Sequence, residues 1–95
     1  MGLIKMAKIV VTFKIMPKNV KIDFSSLEKG IEAVIKKHSD QFKSEKEPIA
    51  FGLTALKFTF VWDEAKGGTD QLEKEVKKVK GVASVDVIDV RRAIG

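Results

Sequence analysis

No cysteine occurs in these 95 residues, which excludes disulfides, thiol nucleophiles and cysteine-ligated metals. No apolar run approaches the roughly 20 residues that a membrane helix needs. The opening Met1-Gly2-Leu3-Ile4-Lys5 lacks the long apolar core and cleavage site of a secretory signal, so a cytoplasmic location is the expectation. Histidine occurs once, at His38, among lysines and polar residues at the end of a predicted helix. There it reads as a solvated cation favoured by the helix dipole, not as an acid or base. No serine stands in a nucleophile elbow. Asp23, Asp63, Glu64, Asp86 and Asp89 lack the spacing of metal ligands. These gaps argue against an active site borne by the chain: bond chemistry, metal and cofactor are all expected to be absent.

A hydrophobic content of 44% beside 33% charged residues belongs to a soluble globular protein, and the length allows one core. Met6-Ala7-Lys8 offers a second start. Residues 1–5 would then be an extension without a role in folding, and residues 6–95 a single domain. The net charge of +5 comes almost entirely from lysines spread along the sequence. Spread lysine describes a solvated surface better than a nucleic-acid footprint, which clusters. Abundant Lys and Glu beside scarce Asn and Gln resemble a thermophile's balance.

The chain reads as two similar halves. Ile9, Val11, Phe13 and Ile15 alternate along a strand over Lys8 to Met16, ended by Pro17-Lys18-Asn19. Asp23 or Ser25 can cap the helix that follows, and Ser25 with Glu28 fits a capping box. Phe24, Leu27, Ile31, Val34 and Ile35 form its apolar stripe. Gly30 weakens that helix by up to about 1 kcal/mol relative to alanine, and would let a strand behind it come close. His38 to Lys46 reads as a loop, with a short strand near Glu47 to Phe51. In the second half Leu56, Phe58, Phe60 and Trp62 alternate along a strand from Ala55 to Trp62. Asp63 to Gly68 makes a turn, and Gly68 or Thr69 caps a helix whose inner face is Leu72, Val76 and Val79. Gly81 stands where a left-handed stop belongs. A last strand covers Val82 to Val90, with Val85 and Val87 inward. Strand, helix, strand, repeated, predicts an α+β ferredoxin-like βαββαβ sandwich: two helices on one face of a four-stranded antiparallel sheet. A doubly wound parallel sheet would need more units and a glycine-rich first turn.

Gly67-Gly68-Thr69 resembles the tail of a phosphate loop, but it lacks the leading glycine and the lysine. A turn and helix cap explains it better. RNA-recognition motifs share the predicted fold, and Lys57-Phe58-Thr59-Phe60-Val61-Trp62-Asp63 looks like their third strand at first sight. Phe58 and Phe60, however, share a face with Leu56 and Trp62, which suits a helix-covered surface. The opposite face offers Ala55, Lys57, Thr59 and Val61, which is no stacking platform. An RNA-binding module is therefore the weaker alternative.

Two features stay unabsorbed by the scaffold. Glu47-Pro48-Ile49-Ala50-Phe51-Gly52-Leu53 is an apolar turn with Phe51 held between a proline and a glycine. Loops usually surface polar side chains, so Phe51 is either an exposed anchor or core tucked under the sheet edge. Arg91 and Arg92 are the only arginines, adjacent at the end of the last strand. Guanidinium groups make two-pronged contacts to carboxylates and phosphates that lysine cannot copy. Contact with a partner stands beside the plainer reading, a salt bridge to Asp89 or Glu47 or a basic tail that keeps an edge strand soluble.

The sequence resembles the archaeal translation elongation factor 1-beta family from Met6 onward. The resemblance is carried by Val11-Thr12-Phe13-Lys14-Ile15-Met16-Pro17 and by Glu47-Pro48-Ile49-Ala50-Phe51-Gly52-Leu53. Gly67-Gly68-Thr69, Gly81-Val82 and Asp89-Val90-Arg91-Arg92 follow in matching order and spacing. It implies guanine nucleotide exchange on the translational GTPase elongation factor 1-alpha, which itself holds the nucleotide and magnesium. It implies no cofactor, no direct nucleic-acid contact and no membrane. In eukaryotic relatives a phenylalanine in the Pro-Ile-x-Phe-Gly turn contacts the GTPase. That position is Phe51, approached through Pro48, Ile49 and Gly52. Those relatives also carry a lysine close to the C-terminus, and this chain has none there. Arg91 or Arg92, beside Asp89, is the expected replacement, unless release relies on displacing the switch region alone.

Overall fold

Alternation of apolar and polar side chains builds the centre of the molecule. Strand β1 spans Lys8–Pro17 and β3 spans Thr54–Asp63, and the two pair antiparallel. Val11 lies opposite Phe60, Phe13 opposite Phe58 and Ile15 opposite Leu56, and all six are buried. The computed structural model describes residues 8–39, 41–50, 52–63 and 67–92. The expected extension over 1–5 lies outside them.

Two further strands, β2 (Phe42–Pro48) and β4 (Val82–Arg92), flank this pair to give the antiparallel order β2-β3-β1-β4. Helices α1 (Phe24–Lys36) and α2 (Asp70–Lys77) bring Leu27, Ile31, Ile35, Leu72 and Val76 onto the face shared by the aromatic residues. This is the predicted ferredoxin-like βαββαβ arrangement. The other sheet face stays uncovered by helices. Thr12 and Thr59 meet there across the central strands, hydroxyl to hydroxyl at 3.2 Å.

Five local expectations need correction. The segment from Phe42 to Lys46, read as loop, belongs to β2. It is an edge strand, so its charged residues stay solvated while its backbone pairs with β3, and apolar alternation fails as a guide. Strand β4 runs on to Arg92 instead of stopping at Val90. The α1 cap is Asp23, which accepts from the Ser25 backbone N–H at 3.1 Å and from the Ser26 hydroxyl at 3.1 Å. Glu28 does not close a capping box with Ser25. It accepts instead from Ser44 Oγ at 2.5 Å and ties α1 to β2.

The fourth concerns Gly30. It admits Val79, which follows α2, and not a strand: a Cβ at Gly30 would sit 2.9 Å from Val79 Cγ1. Gly81, with φ +98°, ends that same segment in the left-handed conformation expected of it. His38 is likewise less solvated than predicted. Its side chain is 26% exposed, its Nε2 lies 3.2 Å from Glu75 Oε1, and its ring is 5.8 Å from the Trp62 ring. It joins the end of α1 to α2.

Two outcomes follow from these contacts. Gly30→Ala should lower the urea midpoint, because overpacking against a stiff valine costs about 1–3 kcal/mol while the helix gains only about 1. Adding Val79→Ala should release the clash and recover the helical gain. The second concerns Glu75, whose pKa is lowered from 4.5, first by its hydrogen bond to His38 and then by that to Gln71. A lowered folded value means stabilisation that is present above the unfolded pKa and lost as pH falls through the folded one. His38→Ala should move the Glu75 carboxyl titration upward, followed by NMR, and flatten the loss of stability below about pH 4.5.

Candidate functional site

The turn between β2 and β3 is tied across its base. The Ile49 N–H donates to the Leu53 carbonyl at 2.8 Å, and the Leu53 N–H donates to the Ala50 carbonyl at 2.9 Å. Gly52 has φ +80°, a conformation in which a side chain is strained. Pro48 and Ala50 are exposed, and Ile49 keeps 41% of its surface in solvent. Phe51 lies outside the described residues, so neither of its two readings is decided.

A residue from another loop joins this end. Val20, between β1 and α1, is 58% exposed, and its Cγ1 would lie 3.7 Å from a Cβ at Gly52. Its loop is anchored from below, because the Lys18 N–H donates to the Gly81 carbonyl at 2.9 Å. Asn19 Oδ1 accepts from the Lys21 N–H at 2.8 Å and shapes the turn. Val20, beside Gly52, and Ile49 thus present an exposed apolar tip at this end of the sheet, and Lys18 and Lys21 of the Val20 loop are exposed as well. Sequence reading missed Val20. Its one signal is a lone apolar residue in the polar run Lys18 to Lys21, and proximity to Gly52 is not visible in the order of residues.

The second group of candidates sits at the other end of the sheet. Asp89 pairs with Thr12 and Arg91 with Val10, placing both on the uncovered face. Arg91 Nε donates to Asp89 Oδ2 at 2.9 Å. Arg92 pairs with Ile9 and therefore points to the helix-side face. The adjacent arginines thus serve opposite faces and cannot close on one ligand as a pair. The salt bridge to Asp89, one of the alternatives open at the outset, is formed.

The structure does not bring the two groups together. Arg92 is level with Ile9, whereas the β2–β3 turn lies beyond the level of Pro17. Eight residues along β1 separate those levels, about 26 Å at roughly 3.3 Å per residue. A standard interface of about 800 Å² per partner is roughly 30 Å across, so one footprint reaches both only by running the length of the sheet.

The other motifs resolve as scaffold. Trp62 Nε1 donates to the Gly67 carbonyl at 2.9 Å, and Gly67 has φ +85°, so this glycine makes a turn after β3. Thr69 precedes α2, and its hydroxyl donates to Glu73 at 3.1 Å. Among the described residues no group of three metal-ligating side chains gathers, and no helix is long and apolar enough to cross a membrane. Phe13, Phe58, Phe60 and Trp62 are all buried under the helices. The uncovered face presents Val10, Thr12, Lys57 and Thr59, with no described aromatic on which a base would stack.

Known proteins supply the remaining constraint. Residues 10–93 match the family described as the EF-1 guanine nucleotide exchange domain. The elongation factor 1-beta of Methanobrevibacter smithii is 40% identical over 87 residues, covering 92% of this chain and 98% of that protein. That of Methanothermobacter thermautotrophicus is 39% identical over 87 residues, with the same coverage. That of Methanococcoides burtonii is 39% identical over 89 residues, covering 94% of this chain and all of that protein. With the match running from the first strand through the last, and with relatives of almost the same length, the chain belongs to the EF-1 guanine nucleotide exchange domain family.

Proposed function

We propose that this chain promotes GDP release and GTP reloading on translation elongation factor 1-alpha, with the apolar tip as its principal anchor on the GTPase. The family match supports the activity. The observation that supports the site is the exposure of Ile49 and Val20 beside Gly52, on a turn tied across its base. Apolar side chains held in solvent by a braced backbone lose little entropy on docking, which favours an interface. Pro48, Ile49, Phe51 and Gly52 act together in this reading, with Phe51 entering a pocket of the GTPase.

Exchange of this kind requires no bond chemistry from the chain. The nucleotide and magnesium belong to the GTPase, and the factor works by binding the nucleotide-free form more tightly than the loaded one. Each tenfold of that preference corresponds to about 1.4 kcal/mol spent against nucleotide retention. The setting is the cytoplasm, and neither nucleic acid nor membrane takes part. Asp89 holds Arg91 in place on one face while Arg92 serves the other, so a partner seated on one face of β4 meets one arginine only.

Release of a fluorescent GDP analogue from archaeal elongation factor 1-alpha, under excess GTP and substoichiometric factor, tests this. The parent protein should accelerate release with turnover. Phe51→Ala should slow it by about thirtyfold, the equivalent of the roughly 2 kcal/mol expected of an aromatic anchor. Ile49→Ala and Val20→Ala should each slow it less, in the same direction. Arg91→Ala and Arg92→Ala should differ from each other. Full activity in both single variants and in the double variant would remove the arginines from the site, and full activity in Phe51→Ala would remove the tip.

A further inference from the structure

The two halves of the apolar tip belong to different layers of the fold. Val20 is carried on the turn that leads into α1, where the Ile22 N–H donates to the Asn19 carbonyl at 3.5 Å. Ile49 is carried on the turn that follows β2, an edge strand paired only with β3 among the described residues. Backbone pairing makes β2 a strand, but its spacing from α1 is set by side chains.

Two such contacts lie in a row. Ser44 and Lys46 pair with Phe58 and Leu56 of β3, so both stand on the helix-side face. Ser44 Oγ donates to Glu28 Oε2 at 2.5 Å, and Lys46 Nζ lies over the Phe24 ring, 5.8 Å from its centre. Glu28 and Phe24 are one helical turn apart, about 6 Å. Ser44 and Lys46 are two strand residues apart, about 7 Å. Because the two steps match, helix and strand run alongside each other with both contacts made. Both steps also lead toward the tip, where Val20 stands beside Gly52. Phe24 packs against the core and is a fixed platform, whereas Lys46 is exposed and stands three residues before Ile49.

We propose that Phe24 and Lys46 are positioning residues for exchange: their contact braces the end of β2 against α1 and sets the spacing of the two halves of the tip. The proposal rests on the function given above, in which that tip meets the GTPase. The brace acts through Ile49, Phe51 and Val20, and neither Phe24 nor Lys46 itself touches the partner. With the halves held at one spacing, the cost of ordering them is met in the free protein, before docking. With the brace cut, the β2–β3 turn moves relative to Val20, and the GTPase has to select the one spacing that fits.

Methyl relaxation of Ile49 in the free, full chain tests the brace without the GTPase. Lys46→Ala and Phe24→Leu should each lower the Ile49 order parameter, and Lys46→Arg should keep it, because a guanidinium also stacks on a ring. Phe24→Leu keeps an apolar side chain against the core, and circular dichroism would verify that each variant is folded. In the nucleotide-release assay both variants should raise the factor concentration for half-maximal acceleration about threefold and leave the maximal rate unchanged. Combining them should cost no more than either alone, since both remove the same contact. Where Val20→Ala has already removed one half of the tip, Lys46→Ala should cost less than it does in the parent. An Ile49 order parameter unchanged in both variants overturns the brace. So does a loss of exchange in Lys46→Ala beside parent activity in Phe24→Leu, which would place Lys46 itself on the GTPase. A parent protein inert in exchange, with order parameters that fall as expected, overturns the proposed function and the positioning role but not the brace.

Discussion

Phe13 meets Phe60 edge to face at 4.9 Å and 82°, directly beneath the two helices. Truncating one such fully buried ring to alanine would cost about 3–5 kcal/mol, a large share of the whole stability of a domain this size. The consequence is geometric as much as energetic. A slip of one residue between β1 and β3 would turn either Phe13 or both Phe58 and Phe60 away from the helix-covered face, so the central register is fixed. Once it is fixed, the position of each strand end follows. The β2–β3 turn comes out at one end of the sheet, level with the exit of β1, and the arginines come out at the other.

An exchange factor depends on that kind of rigidity. It has no bond to make, and its effect on a GTPase equals the difference in affinity between two states of its partner. A mobile anchor would spend part of that difference on its own ordering. Here the tip is restrained from several directions: the paired backbone bonds between Ile49, Ala50 and Leu53, Val20 packed beside Gly52, and Lys18 tied to Gly81. In the proposed function this tip is what meets the GTPase, and its shape, held by those contacts, is what the chain contributes.

Sequence patterns disclosed those parts whose environment is one-sided. The central strands alternate because one face is dry, and both helices show a stripe for the same reason. Strand β2 escaped because an edge strand with solvated side chains is held by its backbone pairing, which leaves no apolar signature. Glu28 fitted a capping box by spacing, yet Ser44, distant in sequence, claims its carboxylate. At the site, the Pro48-Ile49 turn was legible as an apolar stretch where a polar one belongs. Val20 was not, because its role depends on which loops share an end of the sheet. The arginines drew attention by their rarity, but ending β4 at Val90 concealed that they alternate in a strand and so face apart.

The bulge at Ile88 decides more than its size suggests. Continued without it from Val85 and Val87, regular alternation would turn Asp89 and Arg91 to the helix-side face, toward buried Val11 and half-buried Ile9. Two charged groups would then border the core, and Val90 would lie on the uncovered face. The extra residue reverses this: Val90 comes level with Val11, and Asp89 and Arg91 pair at 2.9 Å in solvent. The valines at 82, 85, 87 and 90 follow a spacing of three, two and three because the register shifts twice, at Met16/Pro17 and at Thr12/Phe13. Neither a strand period nor a helix period describes that series, which is why inspection of the sequence recovers only its middle pair. A single backbone irregularity therefore sets both the inner packing of the last strand and the face on which its charges meet solvent.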